Sequence, residues 1–303
     1  MPARWRQWLL AMGLAALAVT VRAAEPKAQI VREESPIASQ TAQLVIADLA
    51  RRGWSVTETI VSRDGAPSET RLAGETMFVA LGARALAALP KSTGGTAAVA
   101  ALVTRSALEE IPQADRWSAI VLDQPVERWA NLIQIAFAGR PATSGLLLGA
   151  FNTRSMPLLQ RKFQERQLAL IEERVAATDD VVPALDRLLP RVAVLLALPD
   201  PVVHNRTTVQ ALLLTTYRAG VPVVAYSESY LQAGAVIALY SSPSQISAQV
   251  VETLLQLREG RQAAAIQAPR YFTVGVNATV ARSLGLQLPS GSELKDRVRA
   301  AEQ

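Results

Sequence analysis

Cysteine is absent from the 303-residue chain. Without it there can be no disulfide, no catalytic thiol, no thiolate-bound zinc and no lipid anchor on an N-terminal cysteine. Histidine occurs once, at His204. It has no Gly-x-Ser-x-Gly elbow to serve, and it reads as a solvated loop residue near a helix start. The adjacent carboxylates Glu172–Glu173 and Asp179–Asp180 face different directions, and no His/Asp spacing suits a metal. Neither an enzyme nor any metal or cofactor is expected. A Lys/Arg cluster with interleaved aromatics is missing too. Three of the arginines behind the net charge of +5 (Arg4, Arg6, Arg22) fall in the first 24 residues, where no acid occurs. The remaining 28 basic and 26 acidic side chains nearly cancel. Nucleic acid is therefore not an expected partner.

Charged residues make up only 19% of the chain and hydrophobic residues 50%, enough for a sizeable core and too apolar for disorder. The length suits two ordinary domains. The apolar run from Leu9 to Val19 is too short to span a bilayer unaided. It follows Arg4 and Arg6 and precedes the small-residue site Val21-Arg22-Ala23, so residues 1–24 read as an export signal. The mature chain is expected in a bacterial periplasm, soluble and not lipid-anchored. Ser92 to Thr96 is glycine-rich but follows no strand and lacks a Gly-Lys-Ser/Thr ending, so it reads as a connector.

The stretch from Arg191 to Tyr240 organises the rest. It reads as a strand (Val192 to Leu198), a loop around Pro199, Asp200 and Pro201, a helix (Thr207 to Ala219) and a second strand (Val221 to Tyr226). Continuous Val, Leu and Ala without alternation is what a parallel sheet covered on both faces requires. Gly220 and Pro222 stop the helix. Similar β-α alternation precedes it, with strands expected near residues 28–32, 54–61, 76–81, 97–103 and 118–122 and again at 146–150 and 168–175. Asp123 reads as the cap of a helix that takes Pro125 in its first turn. A split near Leu122 to Pro125 yields an α/β chain of two doubly wound parallel-sheet lobes joined by a hinge. The chain is expected to re-cross at Ser241 to Pro243 and near Ala265, giving lobes of residues 25–122 with 244–262 and 123–243 with 263–303.

The run VPVVAYSESYLQAGAVIAL from Val221, then SQISAQVVETLLQLREGR from Ser244 and YFTVGVNATVARSLGLQLP from Tyr271, resembles the ABC-transporter substrate-binding family that includes the tryptophan- and tyrosine-type binding proteins. Asn277, Ala281, Leu284, Gly285 and Pro289 match its closing pattern with the right spacing. The likeness covers about Leu146 to Pro289 and is only topological over residues 28–122. It departs at Gly82-Ala83, where the family carries Gly-Thr, and at AALVTRSALEEI from Ala100, which replaces a proline-bearing strand and loop. The family's Asn-x-Thr-Gly stretch before the crossover is also absent.

The resemblance implies a type I periplasmic-binding-protein fold closing on a small polar ligand, with an inner-membrane ABC permease as partner. If that ligand is an amino acid, helix starts at Ala83 and at Thr104-Arg105 would receive its carboxylate, with Arg105 as a bidentate clamp. Asp200 or Glu228 would hold its ammonium, with Tyr226 and Tyr230 as a stacking wall, and Phe151 and Asn152 would contribute from the first strand end of the second lobe. The altered loops of the first lobe keep an alternative open: a sensor or interaction module of this fold that signals by protein contact.

Overall fold

A computed structural model describes residues 25–62, 76–89, 97–111, 117–139, 143–149 and 156–302. The expected export signal, the expected turn at Arg63 to Ser68, the Ser92 to Thr96 connector, Phe151 and Asn152 lie outside the described residues. In chain order the first half runs β1 (Lys27–Glu33), α1 (Pro36–Arg51), β2 (Ser55–Val61), β3 (Thr76–Leu81), α2 (Ala83–Ala87), β4 (Ala98–Val103), α3 (Arg105–Glu110), β5 (Ser118–Val121) and α4 (Val126–Ala136). The second half runs β6 (Ser144–Leu148), α5 (Met156–Glu165), β7 (Leu170–Arg174), α6 (Val181–Leu188), β8 (Val194–Leu196), α7 (Val209–Arg218), β9 (Val223–Ala225), α8 (Glu228–Ala233), β10 (Ile237–Tyr240), α9 (Pro243–Arg258), β11 (Ile266–Gln267), β12 (Thr273–Val276), α10 (Ala278–Ser283) and α11 (Gly291–Ala300).

Among the described residues the strands form two six-stranded sheets, in the orders β11-β5-β4-β3-β1-β2 and β12-β10-β9-β8-β6-β7. Every pairing is parallel except that of β10 with β12. Successive strand residues enter opposite cores, as the two-residue strand period demands. In β3, Met77, Val79 and Leu81 pack with α1 and α9, while Phe78 and Ala80 pack with Ala85, Leu86 and Leu108 on the other face. In the second sheet, Val194 and Leu196 meet α4, α5 and α11, while Leu195 meets α6 and α7. Both faces of the central strands are therefore covered, which is why β3, β4, β6 and β8 read as apolar runs, whereas the edge strands β2 and β7 carry polar residues and are partly exposed.

The chain passes between the sheets after β5, after β10 and after β11. Because β11 pairs in parallel with β5, residues up to Gln267 lie against the first sheet, a few residues beyond the crossing expected near Ala265. Side chains tie the three crossings together. Gln124 donates to Ser241 Oγ (3.0 Å), and Ser241 Oγ donates to the Tyr271 carbonyl (2.6 Å). Gln249 donates to the Ala268 carbonyl (3.0 Å), and its own Oε1 accepts the Arg270 N–H (2.8 Å). Arg128, only 5% exposed, stands over the Phe272 ring at 3.9 Å. It donates to Gln124, to the Pro269 carbonyl and to both carboxylate oxygens of Glu302 beyond α11. No helix among the described residues is long and apolar enough to cross a membrane.

Candidate functional site

A cleft of about 580 Å³ opens where strand ends of the two sheets converge. Its first-lobe wall is α3 (Arg105, Ser106, Glu109), its floor the first crossing and α4 (Asp123 to Glu127, Trp129). Its second-lobe wall is Leu158, Leu198 and Pro199, with Ala268 of the third crossing beside them. These positions follow the carboxyl ends of β4, β5 and β8, where doubly wound sheets place their ligands. Two further hollows of about 610 and 510 Å³ lie elsewhere: one between α6 and α7, the other at the amino-terminal ends of β6, β8 and β9. Neither lies at the carboxyl ends of strands or between the two sheets, so the cleft is the candidate site although all three are similar in size.

The strand ends are dominated by carboxylates facing backbone N–H groups. Glu33, the last residue of β1, reaches over the end of β3, where its Oε1 accepts the Arg84 N–H at 2.7 Å and its Oε2 the Arg84 guanidinium at 3.3 Å. A Cβ built on Gly82 would fall 2.5 Å from the Glu33 carboxyl carbon. A side chain here would push the Glu33 carboxylate off the Arg84 N–H, and the φ of 108° is one that favours glycine. Asp123, just past β5, accepts the Arg105 N–H at 2.8 Å at the end of β4. Burial pushes its carboxyl above the ordinary carboxylate range, against the pull of backbone N–H groups and the Arg105 charge. Asp200, past β8 and 2% exposed, accepts the Gly149 N–H (3.0 Å) at the end of β6, and those of Val202 (3.0 Å) and Val203 (3.3 Å) in its own loop.

The expected site residues thus separate into groups. Arg105 lines the cleft, exposed, and Thr104 caps α3 by accepting the Ala107 N–H at 3.2 Å. Ala83 opens α2 beneath the Glu33 carboxylate. Tyr226, Tyr230 and Asp200 gather in the second lobe with the lone histidine and are not among the cleft's described lining. Glu228 is exposed at the start of α8, hydrogen-bonded to Tyr240.

Two expectations are corrected. His204 is not solvated: it is 8% exposed, its Nδ1 shares a 2.7 Å hydrogen bond with the Tyr230 hydroxyl, and its ring packs 5.8 and 5.5 Å from Tyr226 and Tyr230. Its Nε2 is buried without a hydrogen-bond partner, and burial alone lowers its pKa to about 3. Burial likewise raises Tyr230 well above its ordinary value, and burial with the Asp200 charge raises Tyr226. Asp123, in turn, does not cap α4; Pro125 stands at that position with no side-chain cap, and the carboxylate serves α3 across the strand instead. Glu33 and Glu109 were not singled out by their sequence context. An acid closing a short strand with an apolar middle (Ile30, Val31), just before the Pro-led start of a helix, is the signal that marks Glu33.

This is the two-lobed fold of the type I periplasmic binding proteins. No family model matches the chain, and no curated protein does. Solved structures do. A conserved domain protein from Vibrio cholerae superposes with a TM-score of 0.64 at 19% identity, covering 90% of this chain and 98% of the other. An ABC domain in complex with L-Trp from Streptococcus pneumoniae gives 0.62 at 14% identity, with the same coverage. The ligand-free, open structure of a substrate-binding protein with adhesive properties from Clostridium difficile gives 0.66 at 13% identity, covering 87% and 96%. At identities this low, the superpositions show the fold alone.

Proposed function

We propose that the chain is the exported solute-binding component of an ABC-type importer, closing its two lobes on a small molecule held in the cleft. The observation that carries this reading is the cleft itself, framed by strand ends of both sheets and floored by the first crossing. Neighbours of the same fold include a domain crystallised with L-Trp. Ligand contacts to both walls would stabilise the closed arrangement over the open one, shifting a hinge equilibrium without covalent chemistry. Residues 1–24 fit a leader that sends the mature chain to the periplasm, where a membrane permease would receive the closed form. The lobes on this reading are residues 25–122 with 244–267 and 123–243 with 268–303.

Thermal unfolding of the mature chain, refolded to strip bound ligand, against amino acids, amines, nucleosides and sugars tests the reading. A ligand at a hundredfold its Kd adds about 2.7 kcal/mol, a readily visible rise in midpoint. A flat response across all four classes counts against solute binding. It would favour the second reading, a module that signals by protein contact. The Glu33 carboxylate set over the end of β3 favours that alternative, because it covers a strand end that a ligand would otherwise reach.

A further inference from the structure

The third crossing is gripped from both sides. It leaves the first sheet at Gln267 of β11 and enters the second at Thr273 of β12. Along this length it is held by α9, which packs Ile246, Val250, Val251 and Leu254 on the first sheet. Gln249 donates to the Ala268 carbonyl at 3.0 Å and accepts the Arg270 N–H at 2.8 Å. Glu252 accepts from the Arg270 guanidinium and the Tyr271 hydroxyl, both at 2.7 Å. Gln245 reaches furthest, donating to the Phe272 carbonyl at 3.0 Å and accepting the Thr273 hydroxyl at 3.2 Å. Positions 245, 249 and 252 share one helix face.

The second lobe holds the same segment from its own side. Arg128 of α4 donates to the Pro269 carbonyl at 3.0 Å and stands over the Phe272 ring. Ser241, just past β10, donates to the Tyr271 carbonyl at 2.6 Å. Two lobes that rotate about their crossings must bend the chain within each one. Here the carbonyls of Ala268, Pro269, Tyr271 and Phe272 are all engaged. Any change of angle therefore parts bonds to α9 or bonds to α4 and Ser241. Gln249 and Arg128 are buried, where a polar group left without its partner is costly.

We infer that these side chains form a hinge latch, which holds the two lobes at one angle when no ligand is bound. The latch sets the threshold that any occupant of the cleft has to overcome to move the lobes. Gln245 and Gln249 are its positioning residues. The latch is a property of the chain alone, so it stands or falls separately from solute binding.

Because the chain has no cysteine, two can be introduced as spin-label sites: Gln43→Cys on α1 and Gln164→Cys on α5, both exposed. Double electron–electron resonance on the mature chain, refolded to strip bound ligand, is expected to give one narrow distance distribution. In that background Gln245→Glu keeps the acceptor that closes the capping box with Ser242, but has no N–H for the Phe272 carbonyl. Gln249→Met keeps a similar length of side chain and loses its hydrogen bonds. Each variant is expected to broaden the distribution or shift its centre, with unfolding midpoints measured alongside. Should Gln249→Met fail to fold, Gln245→Glu decides the matter. A broad distribution in the native chain would overturn the inference. So would a distribution unchanged in the folded variants, and a lowered midpoint beside it would mark the glutamines as structural only.

Discussion

A single buried imidazole has consequences that its position in a polar loop conceals. The unfolded chain protonates His204 as the pH falls through about 6.5, whereas the folded chain resists until about 3. The unfolded state therefore binds the extra proton across that window, and stability falls with pH by up to about 1.4 kcal/mol per unit. Urea midpoints at pH 7 and pH 5 should show a steeper loss in the native chain than in His204→Gln; equal slopes would remove His204 as the cause. Asp200 is the second residue with a large expected effect. Its carboxylate satisfies backbone donors of Gly149, Val202 and Val203, and orphaning buried donors costs about 1–3 kcal/mol each where water cannot replace the acceptor. Asp200→Ala is expected to lower stability by about 2–4 kcal/mol, with Asp200→Asn losing less, measured by denaturant unfolding. A loss of ligand binding in Asp200→Ala is thus not by itself a map of the site. Neither effect was legible in the sequence, because what surrounds His204 and Asp200 comes from β6 and from the β9 loop, distant in the chain.

At the level of elements the sequence was far more informative. Strands such as β3 and β4 are apolar throughout because both faces are covered, and the end of α7 is announced by Gly220, whose φ of 70° closes the turn. The side chain of Ser242 caps α9 in a reciprocal box with Gln245, a pattern visible in Ser-Pro-Ser-Gln. Cross-strand capping is not visible this way: Asp123 before Pro125 looks like a local cap, and only strand order reveals that β4 lies beside it. The C-terminal helix went unread because its apolar positions are few; only Leu294 and Val298 are buried. Its docking is nonetheless tight. A Cβ on Gly291 would come within 2.2 Å of the Val274 carbonyl oxygen of β12, and backbone cannot yield as a side-chain tip can. Gly291→Ala should cost about 1–3 kcal/mol, read as a lowered unfolding midpoint; an unchanged midpoint would mean that α11 shifts freely.

For the whole molecule, the group that matters most is Arg128. It joins the first crossing, the third crossing and the residue beyond α11, and is almost fully buried while doing so. Removing Glu302 leaves that guanidinium short of its counter-charge, a loss that is heavy for buried pairs and is moderated here by the partial exposure of Glu302, 23%. Glu302→Gln is expected to cost about 2 kcal/mol. Calorimetry should show it as a shift of the whole transition rather than of one lobe, because the three crossings are bonded to one another; two separated transitions would contradict this.

The strand order also dictates when the molecule can be finished. The first sheet waits for β11, more than 140 residues after β5 was made, and the second for β12 and the helix that seals it. A chain emerging amino end first, from a ribosome or through a membrane pore, cannot complete the first half before β11 has emerged or the second before β12 has. Such a chain stays unfinished, and therefore threadable, until those two late strands arrive.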